Sequence, residues 1–441
     1  MGVLIMIGQL ILCLAILVSL HEMGHFLAAR AFGIKVEKFY LFFDAWGFKL
    51  FSFKKGDTEY GIGWLPLGGY VKISGMIDES LDKEQMGKPP EPWEFRSKPA
   101  WQRLIVMLGG VTVNLILGIF IYSMMLFHYG ESYLPMKAVN DKGGINALEM
   151  GRSAGFKTGD KIIAVNDVPI INYSEILSAA IMKDNSTVQI NRNGKDSVIK
   201  LPTDFADQFL ERQSFIEPRI YVEVDSIVPG MPAEKAGLKK QDRIVSIDSI
   251  PVMYHDEIGP LLKERKSKTF PITVVRNNAP LTMMVTLDTS GKLGFNNNIL
   301  ATYEKDEVKL TYGLGAAFSR GTVKSFTTLS DQAKGFGKIF KGKIKAKNAV
   351  SGPIGLTKRF GPTWDWQNFW FWTCILSLVL AFMNLLPIPA LDGGHVVFLL
   401  IEMVTGKPVS EKVMTVAQVV GMVLVGLLMV FAFGNDIRKL L

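Results

Sequence analysis

Four stretches of apolar sequence limit what this chain can fold into. Residues 3–29 are interrupted only by Gln9 and by the group His21, Glu22 and His25. Residues 104–127 hold no charge. Residues 369–386 form a third run, which resumes at 395–401, and residues 413–433 form a fourth. Each is close to or above the ~18–20 residues that cross ~30 Å of hydrocarbon. The pattern predicts four transmembrane helices, within residues 1–30, 101–128, 366–404 and 411–435. The mean hydropathy is +0.23, with 48% hydrophobic and 20% charged residues, which excludes a disordered chain and argues against a purely soluble one. Cys13 and Cys374 both lie in apolar runs, so neither a disulfide scaffold nor a cysteine zinc finger is available.

The first run lacks a basic leader, is too long for a signal-peptide core and shows no small-residue cleavage site, so it reads as a retained helix. Flanking charge sets the orientation. Arg30, Lys35 and Lys38 follow the first helix, and Arg96, Lys98 and Arg103 precede the second. Residues 30–103 therefore read as cytoplasmic, with the N-terminus and residues 128–368 outside.

The outer segment contains a repeat. Residues 153–166 (SAGFKTGDKIIAVN) recur at 235–248 (KAGLKKQDRIVSID), an offset of one small domain. Each copy has a glycine turn, an aspartate (Asp160 or Asp242), an alternating strand and then a proline (Pro169 or Pro251). The pair, at 129–215 and 216–295, resembles tandem circularly permuted PDZ domains, an α+β fold that binds extended segments by strand addition. Peptide binding and steric filtering of substrates are both consistent with it. Within residues 305–350, Phe318, Phe326, Leu329, Phe336, Ile339 and Phe340 recur at helical spacing among lysines, which predicts an amphipathic helix on the membrane surface. That helix accounts for part of the +8 net charge without nucleic acid. Residues 31–100 form the inner loop. Its segment 40–75 reads as a β-hairpin turning at Lys54 to Asp57, too apolar to face water and tolerable in the bilayer only under cover of protein or a water-filled cavity, or else as a small cytoplasmic β-domain.

The ionisable residues inside the spans carry the chemistry. His21-Glu22-Met23-Gly24-His25 fits H-E-x-x-H. On a helix the two imidazoles share one face and can reach one ion, and Glu22 is placed to take a proton from a water activated there. Such residues in a membrane helix are costly and point to function. A catalytic Zn²⁺ site needs three protein ligands, and the third run supplies a candidate. Pro387 and Pro389 break the helix at depth, and Asp392 follows them, with His395 as rival ligand. At 1.5 Å per residue His21 lies ~27 Å along from residue 3, and Asp392 at most ~35 Å along from residue 369. In a four-span topology both fall toward the cytoplasmic half.

His21-Glu22-x-x-His25, the stretch from Asn384 to Pro389 and Leu391-Asp392-Gly393 together resemble the site-2 protease family of intramembrane zinc metalloproteases. The likeness covers nearly the whole chain, and the PDZ pair between the second and third spans matches one branch of that family. The resemblance implies a multi-pass α-helical enzyme of the bacterial inner membrane. It implies His21, His25 and Asp392 as zinc ligands, Glu22 as catalytic acid/base, and Asn384 with Pro387 and Pro389 beside the substrate. It also implies a membrane re-entrant hairpin whose Gly61-Ile62-Gly63 strand pairs with substrate. Substrates would be single-span proteins such as an anti-sigma factor, and signal-peptide remnants. Residues 351–355 (SGPIG) match a family segment to which no chemistry attaches. The rival class is a membrane-anchored PDZ scaffold with a structural metal, although structural zinc sites normally have four protein ligands.

Overall fold

The computed structural model describes residues 1–66, 68–76, 89–212 and 214–440; residues 77–88 of the expected 31–100 loop lie outside these. The described residues divide into one unit of residues 1–130 with 311–441 and a second of residues 131–310.

The first unit is built on long apolar helices. α1 (Gly2–Ala31) and α2 (Ala100–Tyr129) are the first two spans. The third run divides as its prolines require. α5 (Trp366–Leu385) starts where the Asp365 carboxylate accepts from the backbone N–H of Gln367 and Asn368, at 2.9 and 3.1 Å. It stops before Leu386, extended as a residue preceding proline must be. After a turn at residues 386–391 the chain resumes in α6 (Asp392–Thr405). The turn is packed from two sides. A Cβ on Gly393 would stand 2.1 Å from the Leu386 carbonyl oxygen, and one on Gly421 would stand 1.8 Å from that of Pro389. Gly421 belongs to α7 (Glu411–Leu440), the fourth span. At its far end α7 holds the SGPIG segment: the Asp436 carboxylate accepts from the N–H of Gly352 and of Gly355, each at 2.9 Å. This gives that segment a structural role, fixing the start of α4 (Pro353–Arg359).

α3 (Leu314–Phe340) covers most of the expected surface helix. Its small residues Ala317, Gly321 and Ser325 are buried, and a Cβ on Gly321 would meet Ser123 Oγ of α2 at 2.4 Å. Of the aromatic positions read from the sequence, Phe336 packs against Phe382 of α5 with the rings tilted, while Phe318, Phe326 and Phe340 stay exposed.

The segment between α1 and α2 forms more than a hairpin. β1 (Val36–Leu41), β2 (Lys49–Lys55), β3 (Thr58–Gly63) and β4 (Tyr70–Ile73) make one sheet in the order β2-β3-β1-β4. β2 and β3 are the antiparallel hairpin expected, with Ser52 opposite Gly61. β1 then lies parallel to β3, with Tyr40 opposite Gly61, and antiparallel to β4. Trp46, Phe48, Leu50, Phe51 and Phe53 around β2 are exposed, the greasy surface anticipated from the sequence.

In the second unit one plan occurs twice. β5 (Lys161–Val165), β6 (Val168–Pro169), β7 (Thr187–Arg192) and β8 (Lys195–Lys200) are ordered β6-β5-β7-β8. β9 (Arg243–Ile247), β10 (Ile250–Pro251), β11 (Thr269–Arg276) and β12 (Ala279–Thr286) are ordered β10-β9-β11-β12. The repeated aspartate has the same task in each. Buried Asp160 takes both Arg192 Nε and Nη2 at 2.7 Å and the Lys157 N–H at 2.8 Å. Buried Asp242 takes Arg276 Nε and Nη2 at 2.7 and 2.6 Å and the Lys239 N–H at 2.8 Å. Such bidentate pairs lock the turn ahead of each strand. Each half has its own apolar core. The boundaries shift slightly from those read in sequence. Strand Ile216–Pro218 pairs with Ile145–Ala147 of the first half, and Phe295–Asn297 pairs with Val224–Ile227 of the second.

Candidate active site

α1 presents His21 and His25 one turn apart, and both are buried. Asp392, the first residue of α6, meets them. Its Oδ2 is 3.2 Å from His21 Nε2 and 3.4 Å from His25 Nε2, and the two Nε2 atoms are 3.2 Å apart. Asp392 Oδ2 is buried and receives no hydrogen bond. Three acceptor lone pairs thus converge on one point. Donors held ~2.0–2.1 Å from a tetrahedral zinc stand ~3.3–3.4 Å from one another, the edge length found here. Neutral imidazoles and a carboxylate suit zinc, and the dication offsets the cost of burying the carboxylate. The three residues fit the ion. Among the described residues they form the one group of three donors able to hold a metal.

The broken third run makes this meeting possible. The turn after α5 carries the chain from Asn384 to Asp392, so both reach the same imidazole. Asn384 Nδ2 is 3.2 Å from His21 Nε2. Pro387 and Pro389 shape the turn, and Gln418 of α7 braces it by accepting from the Ala390 N–H at 3.2 Å. Glu22 and His395 line the same cavity of about 700 Å³, His395 one turn further along α6 and outside the three-donor group.

The histidines rest on α2. Gly24 and Gly109 bring the helix backbones together: a Cβ on Gly24 would lie 2.3 Å from the Gly109 carbonyl oxygen. The rings occupy the space that a side chain at Gly110 would fill. His25 Nδ1 is 2.8 Å from the Val106 carbonyl oxygen, and His21 Nδ1 is 3.1 Å from Asn114 Nδ2. Sequence reading missed these four α2 residues. The signal for Asn114 was present, since it is the lone amide side chain in the uncharged run 104–127.

The β-sheet contributes a wall, by a different strand from the one expected. Gly61, Ile62 and Gly63 lie in β3, whose edges are both occupied, by β2 and β1. They are tightly packed: a Cβ on Gly61 would be 2.4 Å from the Tyr40 ring, and one on Gly63 would be 2.2 Å from the Phe43 carbonyl oxygen. Free backbone edge groups therefore cannot come from this strand. Among the described residues β4 pairs on one side only, and its residues Tyr70 to Ile73, with Gly68 and Gly69 before it, line the same cavity as the three donors.

A sequence model of peptidase family M50 matches residues 9–428. The chain belongs to peptidase family M50. Its relatives within the family agree over full length. It is 30% identical to the regulator of sigma E protease of Haemophilus influenzae, over 98% of this chain and 99% of that one. It is 28% identical to the regulator of sigma-E protease RseP of Escherichia coli, over 98% of both. A Neisseria meningitidis protein named as a zinc metalloprotease is 29% identical over 98% of both. This M50 member is accordingly a zinc-dependent intramembrane metalloprotease, and its described residues include four helices apolar and long enough to span a bilayer.

Proposed function

We propose that the chain hydrolyses peptide bonds within or near the transmembrane segment of single-span proteins, using His21, His25 and Asp392 to hold zinc and Glu22 as acid/base. The observation that carries this reading is the convergence of those three donors, inside membrane helices, in a cavity that Glu22 and Asn384 also line. When bound, zinc supplies an acidified water and a positive charge opposite the carbonyl under attack. Glu22 lines the cavity beside the three donors, where its carboxylate would take a proton from the attacking water and return it to the departing amine. Asn384, beside His21 at the cavity, holds the substrate backbone.

A helical substrate hides its carbonyls in hydrogen bonds to the fourth residue along, so it must unwind before it can be cut. In lipid each backbone group left without a partner costs several kcal/mol. The open edge of β4 supplies replacement partners by strand addition, directly at the cavity wall. Gly61 and Gly63 serve this indirectly by letting Tyr40 and Phe43 close over β3.

The two halves of residues 131–310 act as PDZ-like modules that restrict access to substrates already trimmed outside. Their shared strand order and repeated Asp–Arg lock support a duplicated module. Orientation follows flanking charge: N-terminus and residues 131–310 periplasmic, metal centre toward the cytoplasmic half of a bacterial inner membrane. An anti-sigma factor and signal-peptide remnants are the substrates that fit this architecture and the names of the relatives. The test is cleavage of a single-span reporter in proteoliposomes by wild type and Glu22→Gln. The variant is expected to bind zinc normally and to lose at least ~10²-fold in rate. Normal turnover by the variant would refute the assignment.

A further inference from the structure

A metal-binding imidazole has a nitrogen to spare, and what that nitrogen meets decides which tautomer is present. In this protein both spare nitrogens meet α2. Val106, Gly110 and Asn114 follow one another at four-residue steps and so share a face of that helix. Val106 and Asn114 each address one histidine, and Gly110 leaves room for both rings.

For His25 the outcome is fixed. The Val106 carbonyl can only accept, so His25 Nδ1 carries the proton and Nε2 keeps its lone pair toward Asp392 and His21. His21 Nε2 faces the same point. To bind a metal it must also be bare, which places the His21 proton on Nδ1. The Asn114 side chain beside that nitrogen must then accept. An amide can, through its oxygen. Asn114 is fully buried, and its Oδ1 has no hydrogen-bond partner. Half a turn of the amide about its last bond exchanges Nδ2 for Oδ1 at the 3.1 Å contact and supplies that oxygen with the Nδ1–H.

We infer that Asn114 is a positioning residue of the metal centre, whose side-chain oxygen accepts from His21 Nδ1–H and holds His21 in the tautomer that can ligate. α2 thereby sets both imidazoles, one through a main-chain carbonyl and one through a side chain. The inference rests on the reading that His21 and His25 bind zinc.

Two variants with opposite expectations test it. Asn114→Leu keeps the volume and removes the acceptor. Asn114→Asp keeps an acceptor and removes the amide donor. Zinc affinity is measured by chelator competition on the full-length protein in detergent. The leucine variant is expected to bind zinc ~10–100-fold more weakly, the usual loss when such an outer partner is removed. The aspartate variant is expected to stay within a few-fold of wild type. Equal affinity in the leucine variant, or an aspartate variant as weak as the leucine one, overturns the inference. The second measurement is imidazole nitrogen NMR of the zinc-loaded protein, which reports the nitrogen of His21 that keeps its proton. It should show His21 protonated at Nδ1 in wild type and Asn114→Asp. Protonation at Nε2 in wild type overturns the proposal, even should the leucine variant fail to fold. His21→Ala separates the two readings. If it leaves zinc affinity unchanged, the ligand assignment fails; if it abolishes binding while Asn114→Leu does not, only the Asn114 assignment fails.

Discussion

Gly110→Ala adds one methyl group to a chain of 441 residues, and the structure predicts that it removes the metal. The new Cβ would lie 2.4 Å from His25 Nε2, 2.5 Å from His21 Cε1 and 2.7 Å from His21 Nδ1. Carbon in ordinary contact needs ~3.5 Å, so the rings must retreat by about 1 Å. Relief by moving α1 away would open the close backbone contact of Gly24 with Gly109, so the strain falls on the rings or on that contact, and either displaces the ligands. Zinc–ligand distances tolerate ~0.2 Å. A shift several times larger at two of three ligands should therefore weaken zinc by well over the ~100-fold seen when only an outer partner is lost. Two substitutions calibrate the effect. Gly426→Ala in α7 meets nothing within 4 Å and should be silent. Gly118→Ala sits on the same helix, but its Cβ would press Leu378 Cδ2 at 2.5 Å, a flexible side-chain end. That should cost ~1–3 kcal/mol of stability with zinc affinity intact. The assay is zinc competition alongside thermal unfolding of each purified protein. Gly110→Ala binding zinc as tightly as Gly426→Ala would refute the placement of the imidazoles against α2.

The other expectations follow from the same geometry. Asp392→Asn should lower zinc content by metal analysis, and an unchanged content would transfer the ligand role to His395. In a Glu22→Gln background, a photo-crosslinking side chain at Lys72 of β4 should capture uncut substrate, whereas one at Phe53 of β2 should not; the reverse pattern would return substrate pairing to the hairpin. Gly63→Val should reduce both cleavage and thermal stability, because its side chain collides with the Phe43 carbonyl oxygen, and an undisturbed melting curve would remove the packing argument. Excision of the second unit is feasible, because its first and last strands pair, with Tyr133 opposite Val308 and Glu131 opposite Leu310. Replacing residues 134–307 by a two-residue turn should keep zinc bound and admit substrates with bulky outer domains; continued rejection of those substrates would rule out a filter.

What could be read from the sequence, and what could not, divides along a physical line. Spans follow from hydropathy summed over ~20 residues, and a local rule places a chain break at Pro387 and Pro389. The repeat announced itself because Asp160 and Asp242 do the same work in the same register. The sheet was only half visible. A hairpin is local, and the turn at Lys54 to Asp57 marks it; the parallel pairing of β1 with β3 and the edge position of β4 are long-range, and no local pattern encodes them. The close contacts of the β3 glycines with Tyr40 and Phe43 are long-range in the same way, and the G-x-G pattern alone does not carry them. Asn114 shows the converse case. Hydropathy treats it as a small blemish in an apolar run, yet an amide in lipid must find a partner or bear a cost of roughly 1–3 kcal/mol. In this chain His21, Glu22, His25, Asn114, Asn384 and Asp392 are polar residues inside the spans that meet at or beside the three-donor group, while others tie the helices together: Gln9 donates to the carbonyls of Gly361 and Thr363, and Gln418 accepts from the Ala390 N–H. The cost of burial in a membrane thus works as a filter. A polar side chain persists there only where another group needs it, and asking which group that is recovers α2 as part of the active site, a connection that neither the H-E-x-x-H nor the Leu-Asp-Gly motif contains.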